Sequence, residues 1–187
     1  MLLISSKIAR KKDDIDGRII VRERFALANR YLGPMRKIIG RGFGYRLNKV
    51  QAFAKAVQIL LDGGIQGQYP QLWVDPARVT LSSGTLPPVY HLDVRRKDDR
   101  ITVDFIPHRG IYGNADDGVV LCAHNAAIRI AGINEQKACR EDGKVQLTLP
   151  PQLRDKEVDL YIFAHCRQYK KFSNSHYLGR YPSRNIP

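Results

Sequence analysis

Residues 158–166 read VDLYIFAHC, a nearly continuous run of apolar, β-branched and aromatic residues that is typical of a buried β-strand. Shorter runs of the same kind fill the second half of the chain. The first third instead has apolar residues at helical spacing, together with many cations. This division predicts an α+β fold, in which an N-terminal basic helical hairpin packs with a C-terminal antiparallel β-sandwich of about seven strands.

The strand candidates are short and lie between turn signals. Ile101, Val103 and Phe105 alternate with polar residues, as in a strand with one buried face. Asp142-Gly143 is one of several dipeptides that are typical of turns. Short strands separated by such turns indicate an antiparallel sandwich. The predicted strands are 79–81, 101–105, 119–124, 127–131, 145–149, 158–166 and 175–178.

Two helices are predicted in the first third. Gly33-Pro34 should kink the first or divide it into two short helices, since proline lacks a backbone N–H and its ring clashes with the preceding turn. The second covers residues 47–61 and ends at Gly63-Gly64. Because only residues 40–46 join them, the helices should form an antiparallel hairpin. The predicted buried residues are Phe25, Ala28, Leu32, Met35 and Ile39 in the first helix and Val50, Phe53, Ala54, Val57 and Leu61 in the second.

These patterns divide the chain into three segments. Residues 5–18 are polar and basic without a sustained period, and we expect a basic arm over residues 1–18. Residues 19–64 should form the helical hairpin. Residues 65–187 should form the sandwich, which begins with an extended proline-rich segment over residues 65–90.

Positive charge is concentrated near the N-terminus. The 187 residues include 31 Lys+Arg and 18 Asp+Glu, a formal net charge of +13, and residues 1–50 alone hold 13 basic and four acidic side chains. Such an excess favours contact with polyanions such as nucleic acid, anionic lipid or an acidic protein surface. The predicted contact surface is therefore the N-terminal third. Its candidate polyanion-binding residues are Arg10, Lys11, Lys12, Arg22, Arg30, Arg36, Lys37, Arg41 and Arg46.

Several sequence features bear on compartment and cofactors. No apolar run reaches the about 20 residues of a membrane-spanning helix, and residues 1–4 are too short for the apolar core of a secretory signal. Cys122, Cys139 and Cys166 have no Cys-x-x-Cys spacing, so a disulfide framework is not expected. We expect a cytoplasmic protein without membrane contact. Because no Walker loop or dinucleotide fingerprint is present, no cofactor is expected either.

Residues 41–45, Arg-Gly-Phe-Gly-Tyr, copy the opening of the RNA-recognition-motif signature, in which strand aromatics stack on bases. The copy ends there, because later positions of the signature are polar in this chain and the segment joins two helices. A basic turn with a packed Phe43 is the preferred interpretation. Arg41, Tyr45 and Arg46 stay candidates for contact with phosphates or bases.

Cysteine and histidine residues raise the question of a zinc site. Cys122 and His124 share one face of a predicted strand, and His165 and Cys166 lie on another. Zinc needs four converging ligands, whereas adjacent residues on a strand point to opposite faces. We therefore expect buried thiols and surface histidines, and no metal.

Ser173, Ser175 and His176 place hydroxyl groups beside an imidazole. Closeness in sequence is not triad geometry, and no Gly-x-Ser-x-Gly elbow is present, so we expect a final strand with outward hydroxyls. The acidic pairs Asp98-Asp99 and Asp116-Asp117 lack calcium-loop spacing and should shape turns.

An ordered series of motifs links the chain to a known family. The motifs are RFAL (24–27), FAKA (53–56), GQYP (67–70), VTLSSGTLP (79–87), LTLP (147–150), VDLYIFA (158–164) and SNSHYLG (173–179). Together they resemble a widespread family of uncharacterised bacterial proteins, common in Bacteroidota, that is known only as a domain of unknown function. The resemblance spans about residues 20–180. It departs at 5–18, where typical members have a glycine-rich, strand-like segment, and at 125–142.

The resemblance implies a helical hairpin followed by a sandwich similar to fibronectin type III or immunoglobulin domains. It implies no catalytic residue. Together with the charge distribution, it favours a non-enzymatic binding module that contacts nucleic acid or another polyanion through the N-terminal third. The alternative is a structural or assembly protein, for example a component of a phage-like or mobile-element particle, whose sandwich edges pair with neighbouring copies. An enzyme is a third class, for which no motif supplies the residues.

Overall fold

The computed structural model describes residues 17–43, 47–107 and 113–182. Its helices, α1 to α3, are Gly17–Leu32, Arg36–Gly42 and Lys49–Gly63. Its strands, β1 to β10 in chain order, are Ile65–Gln66, Trp73–Val74, His91–Lys97, Arg100–Phe105, Gly118–Asn125, Ile130–Ile133, Ala138–Cys139, Lys144–Thr148, Val158–His165 and His176–Tyr181. The predicted basic arm lies outside the described residues except for Gly17 and Arg18, which belong to α1.

The strands form two main antiparallel sheets. One has three strands in the order β3-β4-β8, and the other has the order β10-β9-β5-β6, with β7 paired to the first residues of β5. β1 and β2 form a separate antiparallel pair. Because helices and antiparallel sheets occupy separate parts of the chain, the predicted α+β class is confirmed.

Two apolar cores lie on opposite faces of the five-stranded sheet. Between the two sheets, Leu121 and Ile162 pack with Val103 and Leu147 of the three-stranded sheet. On the outer face, residues of all three helices pack around Tyr161 and its neighbours. β9 is therefore buried on both faces, which explains its nearly continuous apolar sequence.

A 3₁₀ turn over Gly33–Met35 separates α1 from α2, at the glycine-proline pair where the sequence predicts a kink or two short helices. Four of the five core residues predicted in this region are fully buried. They are Ala28, Leu32, Met35 and Ile39. The expectation for Phe25 is wrong, because the buried part of α1 begins at Ala28 and Phe25 is 53% exposed.

α3 begins at a capping box. The Asn48 side-chain oxygen accepts a hydrogen bond from the Gln51 backbone N–H (2.9 Å), and the Gln51 side chain accepts one from the Asn48 N–H (3.0 Å). The buried face matches the predicted one at Phe53 and Val57 but not throughout, because apolar residues occur on several sides of this helix and contact with the other helices selects among them. Val50 is 72% exposed and Ala54 is exposed. The buried residues are Ala52, Phe53, Ala56, Val57 and Leu60.

None of the helices in the described ranges is long and apolar enough to cross a membrane.

Between residues 91 and 181 the strand predictions hold for most of the sandwich, with three differences. The run at 127–131 forms β6 only from Ile130 onward, because residues 126–129 form a turn. β3 is not predicted, since it is charged and mostly exposed and has no apolar alternation. β7, with two residues, is too short for a recognisable pattern.

The extended segment after α3 contacts α2 instead of forming the strand predicted at 79–81. The Leu81 N–H donates to Ser175 Oγ (2.9 Å), and the Ser83 N–H donates to the Gly42 carbonyl oxygen (3.0 Å). A Cβ atom at Gly42 would lie 2.2 Å from the Leu81 carbonyl oxygen. The close approach of α2 to this segment therefore requires glycine at position 42.

A buried polar network joins α1 to the outer face of the five-stranded sheet. The Asp159 carboxylate is 3% exposed and accepts hydrogen bonds from the Tyr177 hydroxyl (2.9 Å) and from Arg180 Nε and Nη2 (2.9 and 3.0 Å). The Tyr31 hydroxyl lies 3.5 Å from Asp159 Oδ2 and 3.2 Å from the Tyr161 hydroxyl. Burial raises the pKa of Tyr31 and of Tyr161, so both hydroxyls stay protonated. The network positions α1 over one end of the sheet.

His124 is buried beneath α1 without a hydrogen bond. Its ring centroid lies 4.7 Å from that of Tyr31 in an edge contact, and neither ring nitrogen has a partner among the described residues. Burial lowers the pKa of His124 to about 4, although the Asp159 carboxylate favours the charged form. The imidazole is therefore neutral in the folded protein at neutral pH.

Gly42→Ala should destabilise the protein, whereas Gly33→Ala should not. The added methyl group at position 42 meets the Leu81 carbonyl oxygen, so α2 and the segment around Leu81 must move apart, and we expect a loss of about 1–3 kcal/mol. A Cβ atom at Gly33 has nothing within 4 Å, so the same change there should alter the free energy of unfolding by less than about 1 kcal/mol. Urea unfolding of both variants measures the difference, and equal stability would contradict the close approach.

His124→Leu should remove a loss of stability that the wild type shows in acid. Between pH 6.5 and 4 the unfolded chain binds a proton at His124 that the folded protein does not bind, so the free energy of unfolding falls as pH decreases. This group accounts for roughly 3 kcal/mol at the acid end of that window. Urea unfolding at neutral and acid pH measures it, with the exposed-site variant His91→Leu as control. An unchanged pH dependence in His124→Leu would contradict a buried neutral imidazole.

Candidate binding groove

β9 presents a row of alternate side chains on the outer face of the five-stranded sheet. The first of these, Asp159 and Tyr161, belong to the network under α1. The last, Phe163 and His165, line a groove of about 600 Å³ between α2 and the sheet. This volume is within the range of pockets that bind small organic groups.

The floor of the groove is mostly apolar. Strand register places Val120 opposite Phe163, and Gly118 opposite His165. Ile133, at the end of β6, lines the same groove and is 45% exposed. A Cβ atom at Gly118 would lie 2.5 Å from the His165 ring, so glycine leaves the space that the imidazole occupies.

An aromatic pair lies at the C-terminal end of β9. The rings of His165 and Tyr169 are stacked, with centroids 4.0 Å apart and an interplanar angle of 17°. The following turn holds Tyr169 at a left-handed φ of 54°, with its N–H donating to the Cys166 carbonyl oxygen (2.8 Å). Cys166 Sγ accepts from the backbone N–H groups of Lys170 and Lys171, each at 3.2 Å. Because Tyr169 is 47% exposed, the pair presents an aromatic surface at the groove.

The imidazole of this pair is uncharged at neutral pH. Partial burial lowers the pKa of His165, and the Arg41 cation acts in the same direction, against the opposing effects of the Cys166 carbonyl group and Asp117. His165 Nδ1 lies 2.9 Å from the Cys166 carbonyl oxygen and donates to it, which fixes the ring orientation. The stacked surface is therefore neutral, and the charge of the groove comes from other side chains.

Four cations and two carboxylates line the groove. They are Lys37, Arg41, Lys137 and Arg167, with Asp116 and Glu135. Lys37 and Arg41 lie one helical turn apart on α2, where neighbouring side chains share a face. The lining is net positive and mostly apolar, which suits an anion that also has an uncharged flat part.

The structure divides the predicted polyanion-binding residues into groups. Those outside the described residues are Arg10, Lys11, Lys12 and Arg46. The five described ones are all exposed, and of these only Lys37 and Arg41 line the groove. Arg36 lies with Cζ 3.8 Å from the centroid of the Phe53 ring, in a cation–π contact. The others, Arg22 and Arg30, are on α1.

The cysteine and histidine candidates do not converge. Cys122 and His124 are fully buried, so the expectation of surface histidines is wrong for His124, which α1 covers. Burial raises the pKa of the Cys122 thiol to about 12. Within the described ranges, no three His, Cys, Asp or Glu side chains are placed to hold a metal ion.

The serine and acidic candidates have structural roles. Ser173 is fully buried and its Oγ accepts from the Ala164 N–H (2.8 Å), so the expectation of an outward hydroxyl is wrong there. The buried hydroxyl satisfies the backbone near the end of β9. Asp98 has a φ of 59° in the turn between β3 and β4, and Asp117 accepts from the Asn114 N–H (3.1 Å), so both shape turns as expected.

Two of the four groove cations and the exposed tyrosine of the groove are not predicted from the sequence. They are Lys137, Arg167 and Tyr169. Residues 166–171 read CRQYKK, in which an aromatic residue stands among three cations. That combination is typical of segments that contact nucleic acid. It is the sequence feature from which Arg167 and Tyr169 could have been predicted. Lys137 has no comparable signal.

A buried ion pair fixes one rim of the groove. Arg140 Nε lies 3.4 Å from Asp117 Oδ2, and the two side chains are 2% and 0% exposed. Arg140 Nη1 donates to the Pro88 carbonyl oxygen (3.2 Å) and Nη2 donates to that of Pro87. The Arg140 N–H also donates to the Asp117 carbonyl oxygen (3.0 Å). Residues next to both partners line the groove, so the pair positions this rim.

Fold and site together define an α+β protein in which helices cover one face of an antiparallel sandwich and a cation-lined groove lies where the helical cover ends. The chain belongs to a family of unknown function, DUF6266, whose model matches residues 5–179. The resemblance to an uncharacterised family is thereby confirmed, and the match includes 5–18 and 125–142, where the motifs depart from the family pattern. No curated protein matches the chain.

Arg140→Met should destabilise the protein far more than Arg154→Met. The first change leaves the Asp117 carboxylate buried without its cation and should cost about 3–5 kcal/mol. The second breaks the exposed pair between Arg154 and Asp99, which are also 3.4 Å apart, and should cost less than about 1 kcal/mol. Urea unfolding at neutral pH compares the two, and similar small losses would contradict the role of the buried pair.

Proposed function

We propose that this protein is a non-enzymatic binding module that contacts nucleic acid electrostatically through α2 and the groove beside it. The observation that carries the proposal is the placement of Lys37 and Arg41, one turn apart, along an apolar groove whose lining is net positive. The formal net charge of +13 supports a polyanion as ligand.

α2 is suited to contact with phosphates. Its seven residues include Arg36, Lys37 and Arg41 and no carboxylate. Cations of this kind gain free energy by releasing counterions from the phosphate backbone, which requires no base-specific contact. The stacking of Arg36 on Phe53 already restricts one of these side chains, so less conformational entropy is lost when it binds.

We infer that the sandwich is similar to immunoglobulin and fibronectin type III domains. Without β7, the sandwich has seven main strands. The first, second and fifth of these (β3, β4 and β8) form one sheet, and the third, sixth and seventh (β5, β9 and β10) lie in the other. This distribution is that of an immunoglobulin sandwich, except that the fourth strand, β6, joins the sheet of the third. Sandwiches of this type support many functions, so the proposal depends on the groove and not on the fold.

Protein assembly through a sandwich edge is the second candidate function. β3 is the outer strand of the three-stranded sheet, and Leu92 on it is 65% exposed. Tyr90 and Ile106 are also exposed and lie side by side, since the Ile106 N–H donates to the Tyr90 carbonyl oxygen (2.9 Å). An edge strand with apolar side chains can pair with a neighbouring copy. The charged residues of β3 oppose such pairing, which makes this the weaker candidate.

Lys37→Glu/Arg41→Glu should weaken nucleic-acid binding more than the matched variant Arg22→Glu/Arg30→Glu. Both double variants change the net charge equally, but only the first reverses charges that line the groove. We expect the first to lower affinity by at least about tenfold and the slope of affinity against salt by about two, with stability changed by less than about 1 kcal/mol. The measurement is fluorescence anisotropy of labelled single-stranded and duplex oligonucleotides over a salt series.

The protein for this measurement must be free of co-purified nucleic acid. Equal losses of affinity in the two variants would show that binding depends on overall charge, and would contradict the proposal that the groove is the binding site. If the wild type does not bind at low salt, and its mass in sedimentation equilibrium rises with concentration, assembly becomes the better explanation.

A further inference from the structure

The stacked pair of His165 and Tyr169 has a geometry that contact with phosphates alone does not require. We propose that Tyr169 stacks on an unpaired base of a single-stranded nucleic acid while the cations around the groove contact its phosphates. This inference rests on the proposed function and adds the class of ligand, which is a single strand with accessible bases.

The Tyr169 ring combines support on one side with access to solvent. His165 stacks against it at a centroid distance of 4.0 Å, and the side chain is nevertheless 47% exposed. Placing a base on this ring would remove apolar surface from water and add an aromatic stacking contact. The apolar floor beside it, which includes Val120 and Ile133, provides further surface for a flat ring.

The ring is held in place before any ligand binds. Tyr169 has a left-handed φ of 54°, a conformation that is uncommon for residues other than glycine. Hydrogen bonds within the turn maintain it, since the Tyr169 N–H and the N–H groups of Lys170 and Lys171 all donate to atoms of Cys166. A side chain that is already positioned loses less entropy when it stacks on a ligand. Strain of this kind at an exposed aromatic residue is typical of functional positions.

Cations flank the ring on the same turn and on α2. Arg167 lines the groove two residues before Tyr169, and Lys170 and Lys171 follow it directly and are exposed. Arg41 lies close enough to His165 to affect its pKa. Here an aromatic ring that can stack has cations before and after it in the sequence. Proteins that bind single strands without sequence preference combine aromatic rings and cations in this way.

This arrangement favours single strands over duplexes. In a duplex the base faces are stacked on one another, so an external tyrosine ring cannot reach them without unstacking. A single strand exposes its bases and can place one on Tyr169 while its phosphates contact Lys37 and Arg41. A duplex should therefore make the phosphate contacts with the cations but not the stacking contact with Tyr169.

Tyr169→Leu is the variant that tests stacking. Fluorescence anisotropy would use a labelled oligodeoxythymidylate of about 12 nucleotides and a duplex of about 20 base pairs, with Tyr90→Leu as a control at another exposed tyrosine. We expect Tyr169→Leu to weaken single-strand binding by about 5- to 150-fold, with an unchanged salt slope and an unchanged duplex affinity. Tyr169→Phe and Tyr90→Leu should bind like the wild type.

Different results overturn the two proposals. If Tyr169→Leu binds single strands like the wild type while Lys37→Glu/Arg41→Glu binds weakly, stacking is wrong and electrostatic contact stands. If the wild type binds neither oligonucleotide at low salt, both proposals fail.

An oligonucleotide containing 2-aminopurine provides a test that needs no variant. Its fluorescence should be quenched when the wild-type protein stacks a ring on the base. Binding without quenching at any position of the probe would overturn the stacking proposal even where Tyr169→Leu does not fold.

Discussion

Burial of both faces of the five-stranded sheet is the constraint on which the rest of the structure depends. Ile162 points inward and Tyr161 outward from β9, and both are fully buried. The three-stranded sheet covers the inner face. The outer face would expose a large apolar surface, with its risk of aggregation, without the helices that place Leu32 and Ile39 against it. The helical third is therefore one of three layers and shares a core with the sheet.

The groove exists because this helical cover ends before the sheet does. Along the outer face of β9, Asp159 lies in the polar network under α1, Phe163 is buried, and His165 is only partly buried. α2 has seven residues and ends at Gly42, where it meets the segment around Leu81. The last outward positions of β9 are thus left with α2 on one side and the turn after the strand on the other. Cations that are favourable on the surface of a short helix come to lie beside an apolar floor.

Residue patterns predicted the layers of this fold better than its contacts. The alternation in β4 and the apolar run in β9 are direct consequences of burial on one and on two faces, so both strands can be read from the sequence. β3 cannot, because an edge strand needs no apolar alternation. The face of α3 depends on its neighbours, and Val50 is exposed although its spacing is that of a core residue. The burial of His124 depends on Tyr31, which is distant in sequence.

The candidate site shows why charge alone was an incomplete guide. Net charge predicts a contact surface in the N-terminal third, which includes Lys37 and Arg41, and the fold brings these residues to Arg167 and Tyr169, which lie near the other end of the chain. Cations attract nucleic acid, anionic lipid and acidic protein surfaces by the same force. An accessible aromatic face adds a contact that depends on the ligand, because nucleic-acid bases are flat rings that can stack on it. For the proposed function, Tyr169 is therefore the residue whose substitution would distinguish a nucleic-acid site from a general polyanion site, because substitution of a cation would weaken contact with any of these ligands.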